Sequence, residues 1–182
     1  VGCSHRMGGK MGAELMIGSQ CRKVLHISGV SPNIFANERH KMFQQVLEER
    51  QVEVLQFAMD WNTFHWDAHY RMAEEIFRKH PDIDGVFSGD LGAAACMNVA
   101  LQKGMRIPED ICLVGFDATS ITRMVYPCLT AIRQNVELLA EISVNTLLDQ
   151  VEQRKNVPHR QILEVDIQRG GTTRAESGDI DL

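Results

Sequence analysis

The stretch Asp84–Leu101, DGVFSGDLGAAACMNVAL, carries the reading of the fold. A short apolar run ends at a Ser-Gly-Asp turn, and small apolar residues then begin a helix. Ile111–Ser120, ICLVGFDATS, repeats the plan, with Asp117 closing the apolar run. Such runs are apolar at every position rather than every second one, which is what a strand covered on both faces needs.

The same alternation extends outward. Upstream, Met11–Ile17 reads as a helix, KVLHISGV (Lys23–Val30) as a strand, and Asn37–Gln51 as a helix with Met42, Phe43, Val46 and Leu47 on one side. EVLQFAM (Glu53–Met59) is strand-like. Trp66–His80 is a helix with Tyr70, Ala73, Ile76 and Phe77 on one stripe, stopped by Pro81. Downstream, Gly104 ends the small-residue helix. CLTAIRQ (Cys128–Gln134) is a short strand and Val136–Gln153 a long amphipathic helix. Arg160–Gly170 reads as one alternating strand, and Gly170, Gly171 and the tail beyond it read as loose. Alternating strand and helix predict an α/β fold, a doubly wound and mostly parallel sheet with helices on both faces. Ligands of such sheets bind beyond the carboxyl ends of the strands, where Asp90 and Asp117 fall.

With 182 residues the chain can bury a substantial core. Its net charge of −5, with signs interspersed, argues against this chain itself gripping a phosphate backbone. Five cysteines, none in a C-x-x-C pair, fit a reduced, cytoplasmic setting. No signal peptide and no membrane-spanning apolar run is visible. The chain begins with Val and reads as a piece of a longer protein.

Asp90 fits either a helix cap or a ligand contact. Asp117 precedes a less helical segment, so a ligand role suits it better. Arg39 stands early in its helix, where it is either a solvated charge or a group reaching over the strand ends. Trp61 and Trp66 follow a strand; Trp66 is read as capping the core and Trp61 as a platform for one face of a sugar ring. His65 and His69 are four apart, but no glutamate follows the first and no further ligands complete a metal site. Neither a nucleophile elbow, nor a phosphate loop, nor a dinucleotide fingerprint occurs, so no catalytic constellation, metal or cofactor is expected.

The segments GMRIPEDICLVGFD (Gly104–Asp117) and YPCLTAIRQ (Tyr126–Gln134), with the strand–turn–helix before them, resemble the effector-binding core of the lactose-repressor family of bacterial transcription regulators. HISGVSPNIFANERHKMF resembles that family's strand, glycine turn and arginine-bearing helix, and the resemblance extends from Val1 to about Thr173. It implies a periplasmic-binding-protein-like fold of type I, here largely the C-terminal subdomain. Residues 1–134 would form that subdomain, 135–160 a crossover helix of the N-terminal subdomain, 161–173 a returning strand and 174–182 a tail. The DNA-binding domain would lie outside this chain, and the long helix would expose an apolar face. The resemblance carries ligand contacts onto Arg39, Trp61, Asp117 and Gln134. Sugar-responsive members often place Asn where this chain has Gly89, so the turn would offer Ser88 or backbone groups, and Asp90 would be chiefly a cap. The implied function is the sugar-sensing, dimerising core of a transcriptional repressor, with Met97, Met124 and Tyr126 as candidate contacts between copies. The partners would be a small-molecule effector, a sugar rather than a purine, and a second copy or higher homo-oligomer. DNA would be reached only through the absent domain, and no membrane is implied. The alternatives are a periplasmic sugar-binding protein of a transporter and a doubly wound enzyme.

Overall fold

A computed structural model of the chain describes residues 1–30, 34–60, 64–152, 154 and 158–174. The elements run β1 (Gly2–Cys3), α1 (His5–Gly18), β2 (Lys23–Val30), α2 (Ile34–Glu49), β3 (Glu53–Asp60), α3 (Trp66–Lys79) and β4 (Gly85–Phe87). They continue with α4 (Asp90–Gln102), β5 (Cys112–Asp117), α5 (Ile121–Met124), β6 (Thr130–Gln134), α6 (Val136–Val151), β7 (Ile162–Leu163) and β8 (Val165–Gln168). Six strands form one sheet in the order β3-β2-β4-β5-β6-β8. All its pairs are parallel except β8, which is antiparallel to β6. The expected doubly wound, mostly parallel sheet is what the chain forms.

Successive strand residues face opposite sides of a sheet, and here both sides are covered. Val24, Phe87, Val114 and Phe116 pack with Leu15 and Met16 of α1 and with Phe43 and Leu47 of α2. Leu25, Val86 and Leu113 pack on the other side with Ala73, Ile76 and Phe77 of α3 and with Cys96 and Met97 of α4. Adjacent strand positions such as Val24-Leu25 and Val86-Phe87 are therefore both apolar, and Met97 belongs to the core rather than to a surface between copies. Trp66 is also unlike its expected core cap: it is exposed and lies beside Tyr70.

α1 begins earlier than its apolar spacing predicts. Ser4 accepts a hydrogen bond from the Met7 amide at 3.3 Å and starts the helix ahead of Gly8 and Gly9. A Cβ on Gly9 would lie 2.3 Å from the carbonyl oxygen of Arg39, so α1 and α2 meet backbone to backbone. The helix penalty of these glycines, which hides the first turns from a reading of the sequence, is offset by close packing.

Two expectations about the C-terminal region are corrected. The segment read as one strand splits between sheets: β7 pairs with β1 in a separate parallel ribbon, while β8 pairs with β6. Residues 170–174 are not loose. The Gly171 amide donates to Cys128 O at 2.7 Å. Thr172 is fully buried; its hydroxyl donates to Leu113 O at 2.6 Å and accepts from the Thr130 amide at 2.9 Å. Arg174 donates to the carbonyls of Ser19 (2.7 Å), Pro108 (2.6 Å) and Glu109 (2.8 Å). Internal hydrogen bonding, not apolar patterning, fixes this strap. α6 has no buried residue, and Val136, Val144, Leu147, Leu148 and Val151 are exposed along it.

Candidate functional site at the carboxyl edge of the sheet

The parallel strands all end at one edge. β2 connects outward to β3, and the chain then returns across it to β4, so the direction of winding reverses between β2 and β4. Asp117 ends β5 and Gln134 ends β6 beside it, while Arg39 comes from α2 after β2.

These three residues converge. Gln134 Nε2 donates a short hydrogen bond to Asp117 Oδ1. The Arg39 guanidinium carbon lies 3.9 Å from the centroid of the Phe116 ring, the residue before Asp117. Burial raises the Asp117 carboxyl above its ordinary value, against the opposing Arg39 charge and the Gln134 hydrogen bond. Burial likewise lowers Arg39, against the charges of Asp117 and Cys3. Arg39, Asp117 and Gln134 are all half-buried, so their polar groups lie at the edge of the sheet rather than deep in the core. Asp117 has φ 105° and Ala118 φ 56°, a left-handed pair that non-glycine residues adopt only when the surroundings hold them.

The structure adds residues that apolar patterning did not reveal. His5 stacks on Phe116 at 5.6 Å between ring centroids, and its Nε2 is 3.5 Å from Cys3 Sγ. Burial and then the Arg39 charge lower the His5 pKa, which keeps the imidazole neutral at pH 7. Burial and then the nearby Asp117 carboxylate raise the Cys3 thiol. His26 of β2 lies 3.0 Å from His40 of α2, nitrogen to nitrogen, and is sandwiched among His40, Phe43 and Phe87. Burial pushes the His26 pKa well down, so this is a neutral aromatic layer beneath the edge.

Asp90 and Ser88 behave differently from expectation. Asp90 does not cap α4; Gly89 stands at the cap position, and no side chain hydrogen-bonds the helix start there. Instead Asp90 Oδ2 accepts from the Thr119 amide at 2.6 Å and from the Thr119 hydroxyl at 2.8 Å. Ser88 is buried, with its hydroxyl where a Cβ on Gly92 would stand 2.3 Å from it. Its amide donates to Val114 O of β5 at 3.2 Å and its hydroxyl lies against α4, away from the Arg39–Asp117–Gln134 group. Trp61 lies outside the described residues. Among the described residues no cluster of three or more His, Cys, Asp or Glu is placed to hold a metal. Nor is any described helix long and apolar enough to cross a membrane.

Fold and edge cluster together define a class. Residues 13–173 match the periplasmic binding protein-like domain family, and the chain belongs to it. The resemblance to the lactose-repressor family holds, since the relatives are transcription regulators of that kind. The ribose operon repressor of Halalkalibacterium halodurans is 32% identical over 155 residues, 85% of this chain and 46% of that protein. The HTH-type transcriptional regulator CelR of Thermobifida fusca is 26% identical over 158 residues, 86% of this chain and 46% of that protein. The solved CelR–cellobiose complex matches with a TM-score of 0.83 at 25% identity, over 93% of this chain and 52% of that one. The chain spans about half the length of the curated relatives it matches.

Proposed function

We propose that this chain is the effector-binding and dimerising part of a sugar-responsive transcriptional repressor that works in the cytoplasm and catalyses no reaction. The observation that carries the reading is the convergence of Arg39, Asp117 and Gln134 on one half-buried edge. There an arginine and a carboxylate, held at fixed positions, can donate to and accept from neighbouring hydroxyls. Each charge-assisted hydrogen bond is worth about 1.5–3 kcal/mol. The relatives named above support a regulator over a transport protein, and their names point to ribose and cellobiose as effector classes. Trp61 belongs to the site by resemblance, as the stacking face for the ring.

The division of the chain follows the same reading. Residues 1–134 form most of one subdomain, 135–160 cross to the other and 161–173 return; of the expected tail 174–182, Arg174 belongs to the strap and the rest lies outside the described residues. The relatives are about twice as long, and α6 exposes its apolar side chains, so this helix packs against the second subdomain in the complete protein. Met124 and Tyr126, 77% and 90% exposed, are the candidate contacts with a second copy. Effector binding selects one arrangement of the two subdomains, and a coupling of about 1–3 kcal/mol suffices to alter DNA affinity at a distant domain. The test uses the full-length protein: Arg39→Ala and Asp117→Ala abolish the response to inducer and leave operator binding intact. Normal induction in both variants would refute the site.

A further inference from the structure

Asp90 is 4% exposed, yet it holds a residue on the surface. One carboxylate oxygen takes both donors of Thr119, in the loop after β5, across 29 positions of sequence. The other oxygen, Oδ1, is buried and accepts no hydrogen bond among the described residues. Room for Oδ1 exists only because residue 115 is glycine: a Cβ there would stand 2.4 Å from it. Asp117, the last residue of β5, and Ala118 after it both have positive φ. Two consecutive strained residues need an anchor on each side. On one side is the β5–β6 ladder, in which Asp117 pairs with Arg133. On the other is the Thr119–Asp90 contact.

We propose that Asp90 is a positioning residue for the effector site: its bonds to Thr119 hold the 117–119 loop in the left-handed turn that presents the Asp117 carboxylate to Gln134 and to bound ligand. The consequence for ligand rests on the effector reading above, whereas the positioning itself does not. Burial is the main reason the Asp90 carboxyl is raised to about 6, against hydrogen bonding from Thr119 and, more weakly, from the Ala118 amide. The titratable group acting on it is Asp117, which raises it further. Protonation removes the charge from an acceptor of two hydrogen bonds and so loosens the anchor.

The test needs no ligand in its first arm. Thr119 amide exchange and the Gln134 side-chain amide signal are followed by NMR on the full chain, with a pH titration. Asp90→Ala speeds Thr119 exchange tenfold or more and shifts the Gln134 signal. Asp90→Asn, which keeps an uncharged oxygen acceptor of the same shape, recovers only part of both, to the level the original protein shows below pH 6, and abolishes the pH response with midpoint near 6. Thr119→Ala, a change at an exposed residue that leaves the core intact, gives an intermediate effect through the hydroxyl alone. Unchanged Thr119 exchange or an unmoved Gln134 signal in Asp90→Ala overturns the proposal. So does an undiminished response in Thr119→Ala, should Asp90→Ala fail to fold. The second arm titrates D-ribose: Asp90→Ala weakens it tenfold or more. Absence of ribose binding by the unmodified chain counts against the effector reading only, since the first arm still decides the positioning role.

Discussion

Thr172→Val tests whether the C-terminal strap belongs to the core. Valine keeps the shape of threonine but has no hydroxyl. Two buried bonds vanish together: the 2.6 Å bond that the hydroxyl donates to Leu113 O and the 2.9 Å bond it accepts from the Thr130 amide. The Thr130 amide is left facing a methyl group, and Leu113 O loses a donor, in a place closed to water. Leaving a buried polar group without its partner costs about 1–3 kcal/mol, so two such groups cost about 2–6 kcal/mol. The total stability of a domain is about 5–15 kcal/mol, so this loss consumes a large share of it. Urea unfolding read by circular dichroism measures the change as a fall in midpoint at constant slope. Thr172→Ser, which restores the hydroxyl, returns most of the loss. A Thr172→Val protein within 0.5 kcal/mol of the original would show that the strap is not load-carrying and that its hydrogen bonds are replaced by others.

Further outcomes follow from the same geometry. Gly9→Ala places a methyl group 2.3 Å from Arg39 O and forces α1 away from α2. It destabilises by about 1–3 kcal/mol in the same urea assay and weakens ligand binding by displacing the arginine. Asp90 also has a stability signature. Its folded pKa, raised from 3.8 to about 6, means that the native state holds the proton more tightly than the unfolded chain. Its contribution is full below about pH 4 and is lost as pH rises through about 6, a change of up to about 3 kcal/mol. Asp90→Asn cannot ionise, so a urea series from pH 4 to 7.5 shows this fall in the original protein and not in the variant; parallel curves would refute the assignment.

Much of the architecture was legible because burial on both faces writes itself into the strands. Val24-Leu25 and Val86-Phe87 are apolar at adjacent positions because each member of a pair meets a different helix layer. Asp117 was legible for a related reason, as the polar group at which an apolar strand stops, whereas Gln134 was reached only through the resemblance to the lactose-repressor family. Other features depend on partners far away in sequence, which local patterning does not contain. Asp90 looked like a cap because the residues after it are helical, yet its partner is Thr119. Gly8 and Gly9 weakened the predicted start of α1, so His5 and Cys3 went unnoticed beside Phe116 and Asp117. Thr172 sits in a Gly-Gly-Thr-Thr run that reads as loose, and only its bonds to Leu113 and Thr130 show otherwise. The division of the 160–170 segment between two sheets likewise turns on which strand lies alongside, since its alternation is compatible with a single strand.

The central claim is that one polar cluster at the carboxyl edge receives a hydroxylated ligand. Its most direct measurement is an NMR titration of the full chain with D-ribose and cellobiose, following the Arg39 Nε–H and Gln134 side-chain amide signals. The account predicts that at least one of these sugars moves both signals together with a single, weak, millimolar-range isotherm, because the chain spans about half of its relatives. Saturable shifts confined to another surface, such as the exposed face of α6, would contradict it.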